Sequence, residues 1–483
     1  MSAAPTLPFE PAEFASRLAR TRQLMQERGL DALLVVAPHN YYYLTGFQSG
    51  LSHSLTALVV PLEGRTAWVV RKTELSNVRL MPGDDSGPVE AHGVADTEDP
   101  VQRIAAVLES KGLRRARIGI DRNAMFFTIA HELALRERLP EATLADGSLL
   151  VESVRRCKSE AELAYLRRAG AITSTALESG FAALKEGMTD TELAVAMMSS
   201  AFLAGSERMG MLPFVAAGPR TARAHATWLG EPIRRGEVIN AELAAAVARY
   251  HVPTFRVASI GAPSAEVQRM HSASQAALDA GLSKIRAGMT SGEADAVLRT
   301  PIERAGLGDL FVVRGAYSIG IGFAPSWGEG NTLAAIKSGS DDPLLPGMTF
   351  HLVPALYREG VGCVCCSMPV AITETGVAPL ATSSRSSSSS ERNTKALEPM
   401  KFITLRVRPN RTYHGYDDEN RPISEEVTGN AFVEKVIAVD RILSFTDDNI
   451  YITVPHGRVQ TWSYEGSLET VKSQLRTAGL LPT

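Results

Sequence analysis

ALESGFAALKEGMTDTE at residues 176–192 and ALDAGLSKIRAGMTSGE at residues 277–293 read as one pattern written twice. Ala176-Leu177-Glu178 corresponds to Ala277-Leu278-Asp279, and Gly187-Met188-Thr189 to Gly288-Met289-Thr290, at a single offset of 101 residues. Thr189 with Glu192, and Thr290 with Glu293, each spell T-x-x-E. In that capping box a hydroxyl and a carboxylate satisfy the free N–H groups of a helix's first turn. Three features at one offset predict a duplicated unit over 156–380: long helix, Gly-Met-Thr turn, capped helix, then strand-like sequence. Its period is far too long for a solenoid.

N-terminal to the repeat, Phe14, Leu18, Leu24 and Met25 share a helical face within 11–28. Short apolar runs follow at Asp31–Val36, Ala57–Pro61, Thr66–Val70 and Ala116–Ile120, separated by helix-like stretches such as Val101–Leu113. Strands alternating with helices predict an α/β domain over 1–155. The repeat itself forms an α+β domain over 156–381. Beyond it, TSSRSSSSSE (382–391) is polar and of low complexity, and residues 382–399 read as a linker. From Met400 onward, Phe402-Ile403, Leu405, Val436–Val439 and Ile450–Val454 read as strands, and Ser467 as the cap of a final helix. Residues 400–483 are thus a small β-rich module, with no catalytic constellation visible in it.

The 483 residues carry 50 basic and 53 acidic side chains, a formal charge of −3, and 45% hydrophobic residues. A near-neutral balance argues against a nucleic-acid partner. No apolar run reaches the roughly 20 residues of a membrane helix. The N-terminus lacks the charged flank and apolar core of a secretory signal. Four cysteines in 483 residues argue against a disulfide scaffold and fit a reducing compartment. A cytoplasmic protein without a membrane partner is expected.

AEFASRLARTRQLMQERGLDALLVV (12–36) and NYYYLTGF (40–47) resemble the N-terminal domain of the creatinase and Xaa-Pro peptidase family (M24). The duplicated middle resembles that family's pita-bread catalytic domain. Within the family, ARAHATW (222–228), RYHVPTFR (249–256), GAYSIGIGFAPSWGE (315–329) and LPGMTFHLVP (345–354) are most similar to ectoine hydrolases. The metallopeptidases of this fold hold two metal ions through two Asp, one His and two Glu. By resemblance those positions fall on Glu242, Pro253, Tyr317, Val353 and Ser367. Two cations roughly 3.5–4 Å apart need bridging carboxylates, and one carboxylate is left. The resemblance therefore implies no metal and no other cofactor, as in the family members that cleave non-peptide C–N bonds without one.

Alternation along strands then places other side chains. His351 shares a face with Val353, His251 with Pro253, and Asn240 with Glu242, while His225 falls where creatinases keep a pocket histidine. The implied site has Glu242, His225 and His251 as catalytic groups, with His351, Tyr317, Glu329 and His53 as substrate contacts. Glu242 would attack an electron-poor carbon or activate water, and a histidine would protonate the departing nitrogen. Ectoine, a cyclic amidine bearing a carboxylate, is the expected substrate, and a homodimer the expected assembly. Other readings stay open on residues alone. Glu242 could pair with Arg249 or Arg256. The histidines could be packed strand residues, or hold a single zinc together with Glu242. Cys363, Cys365 and Cys366 read as buried free thiols. An Xaa-Pro dipeptidase and a catalytically silent ligand-binding protein are the alternative functions.

Overall fold

The structure, a computed structural model, describes residues 7–50, 55–79, 81, 89–125, 127–329, 334–382, 402–416, 422–426, 431–438, 442–454 and 458–477. The two capping boxes form as spelled. Glu192 N–H donates to Thr189 Oγ1 at 3.1 Å and Thr189 N–H to Glu192 Oε2 at 2.8 Å. Thr290 and Glu293 repeat these bonds at 3.1 and 2.8 Å. Gly187 and Gly288 take φ of 81° and 84°, the left-handed region in which a side chain is strained. The duplication extends to packing. A Cβ on Gly180 would lie 2.3 Å from the Met197 side chain, and one on Gly281 would lie 2.7 Å from that of Leu298. Each glycine thus lets its long helix approach the capped helix closely.

These helix pairs, Glu160–Ala182 with Asp190–Leu203 and Ala265–Lys284 with Ser291–Arg304, back two antiparallel sheets. One has three strands in the order Phe214–Ala217, Ile239–Val247, Tyr250–Ala258. The other has five: Ala335–Ile336, Ala316–Ser318, Thr349–Leu352, Met368–Ile372 and Val377–Pro379. The sheets meet where His251 N–H donates to Gly320 O at 2.8 Å and Phe255 N–H to Ser367 Oγ at 2.8 Å. Their apolar faces are sealed by residues such as Leu166, Leu243, Leu298 and Leu352, all essentially without solvent exposure. Each such leucine is worth roughly 1.5–3 kcal/mol of burial.

The N-terminal part forms a six-stranded mixed sheet, ordered Glu90–Val94, Ala67–Arg71, Ala57–Pro61, Ala32–Val35, Arg117–Ile120, Thr143–Asp146. It belongs to the same compact unit as the repeat, ending at Ser386. Several contacts tie it down, among them the following. Tyr42 Oη donates to Ala248 O at 2.7 Å. Arg155 and Lys158 both hold Glu329, at 2.8 and 2.7 Å.

Residues 387–483 form a second unit. Its long strand Phe402–Tyr416 pairs with Pro422–Glu426, Val433–Ala438 and Arg458–Tyr464, and Asn449–Val454 and Ile442–Phe445 extend the sheet. Val407, Ile450, Trp462 and Val471 fill its core. Ser467 Oγ accepts the Thr470 N–H at 3.3 Å ahead of the helix Leu468–Thr477. Past Thr382, the Ser-rich linker lies outside the described residues, as does His53. Among the described residues no helix is long and apolar enough to cross a membrane.

Candidate active site

Where the three-stranded sheet faces the strand Ala316–Ser318, a cavity of about 610 Å³ opens to solvent. Among the described residues Glu242 is the one acid on its wall. The strand register places Glu242 beside Phe214 on one side and Phe255 on the other, both of which also line the cavity. Burial between them pushes its carboxyl up to about 7, against the opposing pull of the Tyr317 hydroxyl. A carboxylate poised there is a competent base near neutral pH.

Tyr317 Oη lies 3.2 Å from Glu242 Oε1, 2.9 Å from His351 Nδ1 and 3.1 Å from Trp327 Nε1, which donates to it. Behind it, His351 Nε2 lies 2.6 Å from Ser367 Oγ, and that oxygen is 3.2 Å from Phe255 O. The ladder is complete in both protonation states of Glu242. With Glu242 ionised, Tyr317 donates to it, His351 Nδ1–H donates to Tyr317, and the Ser367 hydroxyl donates to His351 Nε2. With Glu242 protonated every bond reverses, and Ser367 donates to the Phe255 carbonyl instead. His351 stays neutral throughout, because burial, with Arg256 nearby, holds its pKa well below the usual range.

The sequence-derived candidates fall into three groups. Glu242, Tyr317 and His225 line the cavity, as does Asn240, while His351 is sealed behind Tyr317. His225 takes φ of 60°, which swings its exposed ring over Phe214 with centroids 5.2 Å apart. His251 is not brought to the cavity. Its Nε2 accepts the Gly210 N–H at 2.8 Å and its Nδ1 faces Arg249 O at 2.8 Å, so both nitrogens are held by backbone. Alternation gave its face correctly but not its distance along the strand. It sits four residues from Phe255, about 13 Å at the usual strand rise. Glu329 is likewise no rim residue: it is buried in the ion pairs with Arg155 and Lys158.

Glu242 pairs with neither candidate arginine. Arg249 donates to Arg208 O and Gly322 O, and Arg256 to Phe255 O and Ser367 O. Cys363, Cys365 and Cys366 are buried free thiols. Burial pushes Cys363, which touches the cavity wall, up to about 12, so it is no nucleophile at neutral pH. Sequence reasoning passed over Trp327 and Arg314. Trp327 stood inside the quoted 315–329 motif, and Arg314 immediately precedes it. An unexplained arginine at the mouth of a motif strand was the available signal.

Three comparisons bear on this geometry. Residues 164–374 match the profile of metallopeptidase family M24, and residues 17–157 that of the creatinase/prolidase N-terminal domain. An uncharacterized hydrolase/peptidase of Sinorhizobium fredii is 29% identical, over 78% of this chain and 98% of its own length. An ectoine hydrolase of Halomonas elongata is 28% identical, over 78% of this chain and 97% of its own. The crystal structure of a dipeptidase from Mycobacterium ulcerans superposes with a TM-score of 0.67 at 26% identity, covering 78% of this chain and 97% of that one.

A metallopeptidase profile raises the question of metal. Of the five positions that the resemblance assigns to ligands, Glu242, Tyr317 and Val353 line the cavity, and Ser367 is sealed beneath His351. Pro253 is not on the wall. Among the described residues no group of three or more His, Cys, Asp or Glu is placed to hold an ion. One carboxylate, a phenol and a valine do not make a site for a pair of hard cations.

Proposed function

The chain belongs to the creatinase and M24 peptidase family, and from that premise we propose that it hydrolyses a non-peptide C–N bond in a small zwitterion, ectoine being the leading candidate, without a metal ion. One observation carries the reading: a lone carboxylate, raised to about 7, faces a cavity whose other former ligand positions are a phenol and an alkyl group. An ionised Glu242 takes a proton from water as its oxygen bonds to the amidine carbon. The protonated carboxyl then returns that proton to a ring nitrogen as the C–N bond breaks. The hydroxyl proton passes to the freed amine, which leaves as an ammonium group, as the amide carbonyl forms, so one water is consumed and N-acetyl-diaminobutyrate is the product. Tyr317 steadies both states of the carboxyl through the reversible ladder, and Glu242 itself takes the proton-donor role first expected of a cavity histidine. Similarity to ectoine hydrolase and to dipeptidases is of the same order, and it is the donor set that supports the first reading over the second.

Proton NMR of the purified protein with ectoine in excess EDTA tests the reading. A ring-opened acetylated diamine is the expected product, and Glu242→Gln abolishes its formation with the fold intact. An unchanged spectrum for the wild type sinks ectoine. Proline-dipeptide cleavage restored by Mn²⁺ or Co²⁺ sinks the metal-free reading, and ligand binding without product points to a silent site. A homodimer goes with this proposal and is read by light scattering.

A further inference from the structure

Among the described residues three cationic side chains line the cavity, Arg223, Arg314 and Lys337, against the single acid Glu242. Among the described residues no carboxylate pairs with any of the three. Arg314 is half-buried, and its guanidinium carbon lies 5.4 Å from the centre of the Tyr317 ring. Tyr317 therefore touches Glu242 through its hydroxyl and carries Arg314 over its ring. Asn240 also lines the cavity, 7% exposed and two residues before Glu242 on the same strand face. Its Oδ1 is buried with no hydrogen-bond partner among the described residues. A buried acceptor left unpaired is costly, and a ligand N–H would satisfy it.

We propose that Arg314 and Asn240 are the substrate-reading pair of this site. Arg314 takes a carboxylate, and Asn240 Oδ1 accepts an N–H from a nitrogen close to the carbon that Glu242 serves. The ligand class is then a small acid carrying an N–H donor at the other end, such as an amidino or acylamino acid. The pair rests on the hydrolase reading for the bond that breaks, but not for the binding itself. Arg314 is the better carboxylate partner than Lys337 or Arg223, because its half-buried guanidinium is already oriented by the ring and is fixed in charge. A site built to pair a ligand's polar group also rejects the analogue that lacks it.

Calorimetric titration of the full-length Glu242→Gln protein tests this without consuming the ligand. The probes are ectoine, its methyl ester, and cyclohexanecarboxylate, which has the acid but no N–H. Ectoine is expected to bind about tenfold or more tighter than the ester. Adding Arg314→Gln removes that preference, and adding Arg314→Lys keeps most of it. Adding Asn240→Leu weakens ectoine by about fivefold and leaves cyclohexanecarboxylate within about twofold. Equal binding of acid and ester, a preference that survives Arg314→Gln, or no binding of any probe overturns the pair. Turnover by the wild type is read separately by NMR. Arg314-dependent binding without product sinks the hydrolysis and leaves the pair standing. Product formation with no acid-over-ester preference does the reverse.

Discussion

Ser367 Oγ stands 2.6 Å from His351 Nε2 and accepts the backbone N–H of Phe255 at 2.8 Å. One hydroxyl thus joins the two sheets and serves either tautomer of the histidine. Because it can donate to either His351 or the Phe255 carbonyl, it lets the imidazole change tautomer when Glu242 changes charge. A residue that reads as a lost metal ligand is therefore the fixed end of the hydrogen-bond ladder.

Ser367→Ala should cost about 1–3 kcal/mol of stability, since the Phe255 N–H is left buried without its acceptor. Turnover should fall about tenfold, with the acid limb of the pH profile displaced. Urea unfolding and a pH–rate series check both, and Ser367→Thr should recover most of each. An unmoved profile with lowered stability would reduce Ser367 to a structural bond.

The pH dependence follows from Glu242. In the proposed reaction its ionised form is the base, and burial raises its pKa to about 7, so kcat/KM should rise with pH through about 7 and then level off. A profile already flat from pH 5 to 8 would remove Glu242 from that role.

Stability should run the opposite way. A carboxyl whose folded pKa exceeds its ordinary value binds more protons when folded, so its contribution to stability is lost as pH rises from the usual carboxylate range through about 7. Glu242→Gln removes that loss. Its melting temperature relative to wild type should therefore climb between pH 5 and pH 8, measured by scanning calorimetry.

Glu329→Gln addresses a different kind of burial. Arg155 and Lys158 are almost wholly buried and share this one carboxylate, so neutralising it should cost about 3–5 kcal/mol. Equilibrium unfolding by urea measures it. A cost under about 1 kcal/mol would mean that water reaches the cluster.

Much of the fold was legible because its signals are local. The capping boxes at Thr189 and Thr290 form as spelled, and the strand expected at Ala57–Pro61 has those bounds in the structure. The site was legible only in part. Alternation put Asn240 beside Glu242, because neighbours two apart on one strand stay together. It misplaced His251, because register along a nine-residue strand is set by the partner strand and the Ala248-Arg249 turn. Glu329 was misread for a related reason: its partners, Arg155 and Lys158, lie more than 170 residues away. No local pattern announces a buried ion pair at that separation.

The duplication has a consequence for how the site comes into being. Glu242 and Asn240 belong to the sheet of the first repeat, while Tyr317 and His351 belong to that of the second and Ser367 immediately precedes its strand Met368–Ile372. Neither half owns a working set, and the hydrogen bonds that align the groups are also bonds between the halves. Catalytic competence is then a late event in folding, acquired when two similar halves dock rather than when either completes itself. Substrate turnover would serve as a clock for that docking, lagging behind the gain of helix and sheet in each half.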